Sequence, residues 1–442
     1  MSVSESNGRK LLNAIISSVS GRYVVYAVQL LSLMIMARIF TPEQLGFFAI
    51  LQVFSIFFML FSEMGFAPAL INKEKLPKNH RDGIYSFTWV MGAVVTLLFA
   101  LSGPLIAWFY SEPVYQLLIL PVAISILFNT ACIVPTAALQ KDRRFLILAR
   151  ADSISELVSL FAVILIALYF DPLWALSLKA LIVSVFRFYQ YWLSSSNTAF
   201  GKPSFGKELH HFKSLLSFSS YQFGFNILNY FSRNLDTILV GKYMGTASLG
   251  VYDQAYKLMR YPLLLLTFAM TPAIQPVLTT LKDNKKEFGR LHNKFALYMA
   301  YIGSLIGVLV FFLAEFIVSL MLGKQWSAVV PVIEVLSITI PIQTLLSSSG
   351  GFYQAAGRAD LLFKCGVFSS ITNVSAIAFG IYSESLETLC WMLVASFSIN
   401  FVQCYWLLSR HLLDGGRSKL VLNLMPIVIT VLALSLVKVY VY

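Results

Sequence analysis

The chain has 442 residues, 58% of them hydrophobic and only 12% charged, with a formal net charge of +12 and a mean hydropathy of +0.74. Soluble domains carry about a quarter of their residues as charges, so this composition excludes an ordinary soluble enzyme or binding module. The basic surplus is scattered over short segments rather than gathered on one folded face, which argues against a nucleic-acid partner and fits attraction to anionic membrane lipids.

A helix needs ~20 mostly apolar residues to cross a ~30 Å hydrocarbon core. Thirteen stretches meet that requirement: 11–37, 43–67, 84–109, 114–139, 146–169, 172–193, 214–240, 246–276, 293–320, 327–353, 361–382, 387–409 and 420–440. The first follows a polar tail and lacks a small-residue cleavage site, so it is expected to stay as a membrane helix rather than leave as a signal peptide. The odd-numbered gaps hold three basic residues, Arg38, Lys242 and Lys324, whereas the N-terminus and the other gaps hold 23. Basic residues near span ends stay on the cytoplasmic side. This places the N-terminus in the cytoplasm and, with thirteen spans, the C-terminus outside. Trp108, Tyr110, Trp174 and Trp326 fall at predicted outer span ends, where an aromatic belt is expected. The longest connection, 194–213, is rich in Ser, Gly and Lys and reads as a cytoplasmic linker or surface helix, with His210 and His211 in a solvated setting.

Sliding the chain by 204 residues lays Arg38 to Phe48 over Lys242 to Tyr252, and a looser match lays Pro121-Val122 over Pro331-Val332. Six spans separate the copies, so topology is preserved and the repeat is parallel. The expected fold class is an all-α integral membrane protein. It has two pseudo-symmetric six-helix lobes around a central cavity, plus a thirteenth C-terminal helix. The domains are an N-lobe over 1–193, an inter-lobe linker over 194–213, a C-lobe over 214–409 and an additional span within 410–442.

The segments carrying the repeat also carry a resemblance. Arg233-Asn-Leu-Asp236 through Gly245, followed by Leu249-Gly250-Val-Tyr252 and Pro262, resembles the mid-chain signature of bacterial polysaccharide transporters. So do Ala37 to Gly46 with Glu63-Met-Gly65-Phe66, and Pro135 to Phe145. These are the Wzx-like flippases of the multidrug/oligosaccharidyl-lipid/polysaccharide (MOP) exporter superfamily. The resemblance implies two lobes around a cavity open to one side at a time. It also implies transport of undecaprenyl-diphosphate-linked oligosaccharide, of O-antigen, exopolysaccharide or capsule type, from the cytoplasmic to the outer leaflet of the bacterial inner membrane. Other polysaccharide-assembly proteins are then candidate partners.

Charges at membrane depth are costly and usually face a cavity or a partner. The deep set is Arg22, Lys179, Arg233, Asp236, Lys257 and Arg260. A diphosphate needs cations that donate several hydrogen bonds, which Arg does bidentately. Arg22, Lys257, Arg260, Arg233 and Lys179 are therefore the candidate diphosphate ligands. Asp236, Asp253 and Glu63 are candidates for ion coupling, to H⁺ or Na⁺, or for ion pairs such as Arg233–Asp236 and Asp253–Lys257. Asp152, Glu156, Arg187, Glu315 and Glu334 lie nearer span ends and are expected to snorkel, cap or bond helix to helix.

No cofactor is expected. Cys132, Cys365, Cys390 and Cys404 lack zinc spacing and are expected to pack as small apolar residues. No phosphate-binding G-x-x-x-x-G-K-[ST] loop appears. Two alternatives carry different signatures. A cation-coupled drug antiporter of the same superfamily would favour deep acids, and here the deep set is mostly basic. A membrane polysaccharide polymerase or ligase would carry a large outer loop, and none is present.

Overall fold

The structure is a computed structural model describing residues 3–63, 66–72, 76–209, 227, 230–231, 233–279, 284–413 and 417–440. Its described elements are all helical: α1 Val3–Ile39, α2 Pro42–Glu63, α3 Phe66–Asn72, α4 Lys78–Leu101, α5 Gly103–Tyr110, α6 Tyr115–Ala131, α7 Ile133–Lys141, α8 Phe145–Tyr169 and α9 Pro172–Ser194. Then follow α10 over 233–243, α11 Gly245–Thr279, α12 Lys285–Phe312, α13 Ala314–Met321, α14 Val329–Ser337, α15 Ile340–Ala355, α16 Ala359–Tyr382, α17 Leu386–His411 and α18 Arg417–Tyr440. Among the described residues nine helices are long and apolar enough to cross a membrane, or up to eleven if each of two bent pairs counts as one span. Of the predicted spans left over, 246–276 forms α11, and 214–240 lies largely outside the described residues, as do Tyr221, Gln222, Asn226, Asn229, His210 and His211.

The helix junctions follow local chemistry. Between α1 and α2, Thr41 and Gln44 form a reciprocal capping box. The Gln44 amide donates to Thr41 Oγ1 at 3.3 Å and the Thr41 amide to Gln44 Oε1 at 3.0 Å, with Pro42 opening the helix. The chain also breaks at Ser102, Cys132, Leu313 and Ile338–Thr339. Pro104, Pro135 and Pro341 sit in the first turn beyond three of these breaks, where the ring removes a donor and clashes with the preceding turn. The α6–α7 pair bends by 40° and the α14–α15 pair by 57°. Pro121 and Pro262, by contrast, sit inside unbroken helices. The breaks interrupt the third and fourth predicted spans and again the ninth and tenth, so the same span pair is broken six spans apart.

The chain forms two compact units, Met1–Lys242 and Tyr243–Tyr442. In the second, Phe288, Met299, Leu345, Phe352, Tyr353, Tyr405, Leu408, Leu424 and Ile427 pack into one core, drawn from α12, α15, α17 and α18. Apolar burial drives helix association weakly in lipid, so close packing of small residues matters more. Gly303 and Gly307 on α12 face Pro341, with its Cα and Cδ both 3.1 Å from where a β-carbon would stand. The last helix belongs to this packing. Lys438 on α18 donates to Glu334 on α14 at 2.6 Å, with side chains only 9% and 12% exposed. Removing one member of a buried pair strands the other charge. Glu334→Ala is therefore expected to cost about 3–5 kcal/mol, and Glu334→Ala with Lys438→Met much less. Thermal unfolding of the purified protein in detergent measures both.

Two expectations are corrected. Trp108 is 75% exposed, as a belt residue should be, but Trp326 is fully buried and Tyr110 is 9% exposed. Trp326 lies in a 3-10 turn that folds its ring into the second unit. The Tyr110 hydroxyl instead donates to the Ile238 carbonyl at 3.2 Å. Residues 195–209 do not form a loose linker either: they are strapped across the basic end of the first unit. Arg81 and Asp82, each 6% exposed, form the node. Asp82 accepts from Arg81 Nε at 2.8 Å and Nη2 at 2.7 Å, and from Ser204 through its amide at 3.0 Å and Oγ at 2.8 Å. Arg81 and Arg144 donate to the carbonyls of Phe200 and Asn197. The Ala199 amide donates to Asp142 Oδ2 at 2.8 Å, Trp192 Nε1 to the Pro203 carbonyl at 3.0 Å, and the Gly206 amide to Ser86 Oγ at 2.7 Å. The strap thus ties the ends of α4, α7, α8 and α9 together.

Candidate functional site

A pocket of about 250 Å³ opens within the first unit, where α1, α7, α8 and α9 meet. Each of three helices contributes residues four apart, which share one helix face: Arg22 and Tyr26 on α1, Thr136 and Gln140 on α7, Leu148 and Asp152 on α8. Tyr191 on α9 completes the polar lining, beside Val25, Phe145 and Ala149. Gly21 explains how Arg22 comes to lie here. A β-carbon at Gly21 would stand 2.8 Å from that of Ala149, so glycine lets α1 close onto α8 at this level.

Behind the pocket, the seam between α8 and α9 is cross-linked by polar side chains. Arg187 Nε lies 2.8 Å from Asp152 Oδ1, and the Tyr191 hydroxyl donates to the same oxygen at 2.8 Å. Gln190 donates to Ser155 Oγ at 3.1 Å. One turn further along α8, Lys179 donates to Glu156 Oε1 at 2.5 Å, with both side chains 15% exposed. Because the helices run antiparallel, two ion pairs stack along one seam. Arg22 and Asp152 both line the pocket, and Arg187 pairs with Asp152 in the seam.

The predicted residues fall in separate places. Arg22 lines the pocket, and Lys179 lies in the seam paired to Glu156. Arg233 is exposed on α10, where Asp236 is 8% exposed and accepts from the Thr237 amide at 2.7 Å. In the second unit Lys257 pairs with Asp253 at 2.6 Å on its own helix, and Arg260 is exposed one turn on. Glu63 is the exposed last residue of α2. That Asp152, Tyr191, Thr136 and Gln140 join Arg22 is not legible in the sequence, because a pairing across helices depends on tertiary register. The four cysteines are buried thiols outside any disulfide, and among the described residues no cluster of His, Cys, Asp and Glu could hold a metal.

The family model described as polysaccharide biosynthesis protein matches residues 35–331, about two thirds of the chain. The chain belongs to that family. It is 25% identical to the teichuronic acid biosynthesis protein TuaB of Bacillus subtilis (strain 168), over 80% of this chain and 73% of the relative. It is 21% identical to the lipopolysaccharide biosynthesis protein WzxC of Escherichia coli (strain K12), over 91% of this chain and 81% of the relative. Among solved structures it resembles the lipid II flippase MurJ in an inward closed conformation, with a TM-score of 0.74 at 15% identity, covering 95% of this chain and 98% of the other. It also resembles an inward-facing multidrug resistance MATE family transporter of the MOP superfamily, with a TM-score of 0.65 at 12% identity, over 93% and 95%. The Wzx-like resemblance and the all-α, multi-pass membrane fold expected from the sequence are thus borne out.

Proposed function

We propose that this protein is a flippase that carries polyprenyl-diphosphate-linked oligosaccharide units from the cytoplasmic to the outer leaflet of a bacterial inner membrane. The observation that carries the reading is the pocket of the first unit. An arginine that the sequence puts at membrane depth shares a 250 Å³ space with hydroxyl and amide side chains from two other helices, α7 and α9. Guanidinium groups bind phosphate oxygens through paired, charge-assisted hydrogen bonds. Tyr26, Thr136 and Gln140 can donate to further phosphate oxygens or to the first sugar's hydroxyls. A charge kept at this depth is expensive unless it serves a ligand or a partner. The names of TuaB, WzxC and MurJ, two for surface-polymer biosynthesis and one for a lipid flippase, support the same substrate class.

In this reading Arg22 receives the diphosphate, and Lys179, Arg233, Lys257 and Arg260 supply further cationic positions as access alternates between leaflets. Residues 194–213 connect two lobes, with 195–209 strapped to the first, and 410–442 is an added span. Asp236, Asp253 and Glu63 are the positions at which a coupling H⁺ or Na⁺ would act. The distribution of basic residues between spans supports a cytoplasmic N-terminus.

Deleting the gene tests the reading. Lipid-linked repeat units are expected to be made in normal amount yet remain in the cytoplasmic leaflet, inaccessible to impermeant glycan-oxidising reagents, while surface polymer disappears. Single units accumulating in the outer leaflet, or full-length polymer left unattached, would mean that the protein acts as a polymerase or ligase instead.

A further inference from the structure

Asp152 sits oddly in a pocket that takes phosphate. Asp152 shares the lining with Arg22, so an anion bound there would have an acid in its wall. It is also fixed in place: Arg187 Nε and the Tyr191 hydroxyl, both from α9, each lie 2.8 Å from the same carboxylate oxygen. Both partners lie on α9, and Asp152 and Tyr191 both belong to the pocket wall, so the acid cannot swing away without breaking the α8–α9 cross-link.

We propose that Asp152 is the release element of this pocket, a positioned like charge that keeps phosphate binding weak enough to be reversed, with Arg187 and Tyr191 as the residues that hold it there. The proposal rests on the pocket being a phosphate site. A transport site must bind well enough to load and weakly enough to unload. Arg22 acting with an unopposed Arg187 would hold a diphosphate too long. Two like charges roughly 6 Å apart at an effective dielectric near 20 lower affinity on the order of a hundredfold. Arg187, which neutralises part of the carboxylate, brings the expected effect down to about tenfold.

Asp152→Asn keeps an acceptor for Tyr191 and removes the charge. Inorganic pyrophosphate is titrated calorimetrically into the full-length protein in detergent, as wild type, Asp152→Asn, Arg187→Gln, the double variant and Arg22→Ala. Surface polymer is measured in deletion cells carrying each variant. Asp152→Asn is expected to bind pyrophosphate about tenfold more tightly and yet to deliver less polymer, a split that a merely structural role would not produce. Arg187→Gln is expected to bind more weakly. If Asp152→Asn alone does not fold, the same tightening is read by adding it to Arg187→Gln, where no counter-charge is stranded. Unchanged or weaker binding by a folded Asp152→Asn protein, or tighter binding with undiminished polymer, overturns the proposal. Should Arg22→Ala bind pyrophosphate as wild type does, the phosphate reading of the pocket falls and the role of Asp152 with it. If only the Asp152 arm fails, the phosphate reading stands.

Discussion

Arg22→Ala is expected to reduce surface polysaccharide to below about a tenth of wild-type output, with protein level and membrane insertion unchanged. Hydrogen bonds to charged groups contribute about 1.5–3 kcal/mol each, and a bidentate arginine makes two of them to phosphate. Losing one such anchor corresponds to a loss of ten- to a hundredfold or more. Arg22→Lys is expected to keep part of the output, because an ammonium attracts the phosphate as a point charge but lacks the planar fork. The side chain is exposed at the pocket rather than packed in a core, so its removal leaves no cavity to collapse. Immunoblots of membrane fractions and quantified surface polymer give the two readouts. Normal polymer from Arg22→Ala would remove this residue from the substrate path.

Much of the fold is written in local pattern. Hydropathy locates the spans because each must satisfy its own backbone hydrogen bonds within lipid, and the helix ends fall within a few residues of the apolar limits, as at Pro172–Ser194 against 172–193. The proline rule was only partly legible. Pro104 and Pro341 mark breaks, but Pro121 looks the same in sequence and lies in a continuous helix. Whether a proline breaks a membrane helix depends on whether neighbours re-satisfy the freed backbone groups, which is tertiary information. Arg22 stands out as a charge far from any span end. Asp152 does not, because an acid near a span end looks like a snorkelling residue, and only the α8–α9 register turns it toward the pocket and Arg187. Lys242, an exception to the charge asymmetry, donates to the Phe109 carbonyl and lies 5.1 Å from the Phe109 ring centroid. Local contacts of this kind can override an orientation rule.

The strap was hidden for a related reason: its Ser, Gly and Lys composition reads as a linker, and Arg81-Asp82 reads as loop charge. The strap instead closes a buried ion-pair node, so breaking that node should strongly destabilise the first unit. Asp82→Ala leaves the Arg81 guanidinium, whose side chain is 7% exposed, with its carboxylate partner gone, and removes both acceptors of Ser204. Loss of one member of a buried pair costs about 3–5 kcal/mol. Thermal unfolding in detergent should fall accordingly, and the peptide bond after Lys207 should become at least about tenfold more sensitive to trypsin, because local opening governs cleavage. Asp82→Asn should lose less, since an amide oxygen still accepts from the Ser204 amide. Replacing both charges, Arg81→Met with Asp82→Leu, should recover part of the melting temperature while leaving the strap loose, because the stranded charge is gone but the Ser204 contacts are not restored. If Asp82→Ala left both the melting temperature and the trypsin rate at wild-type values, the node would be incidental and the strap would be held by its remaining backbone contacts alone.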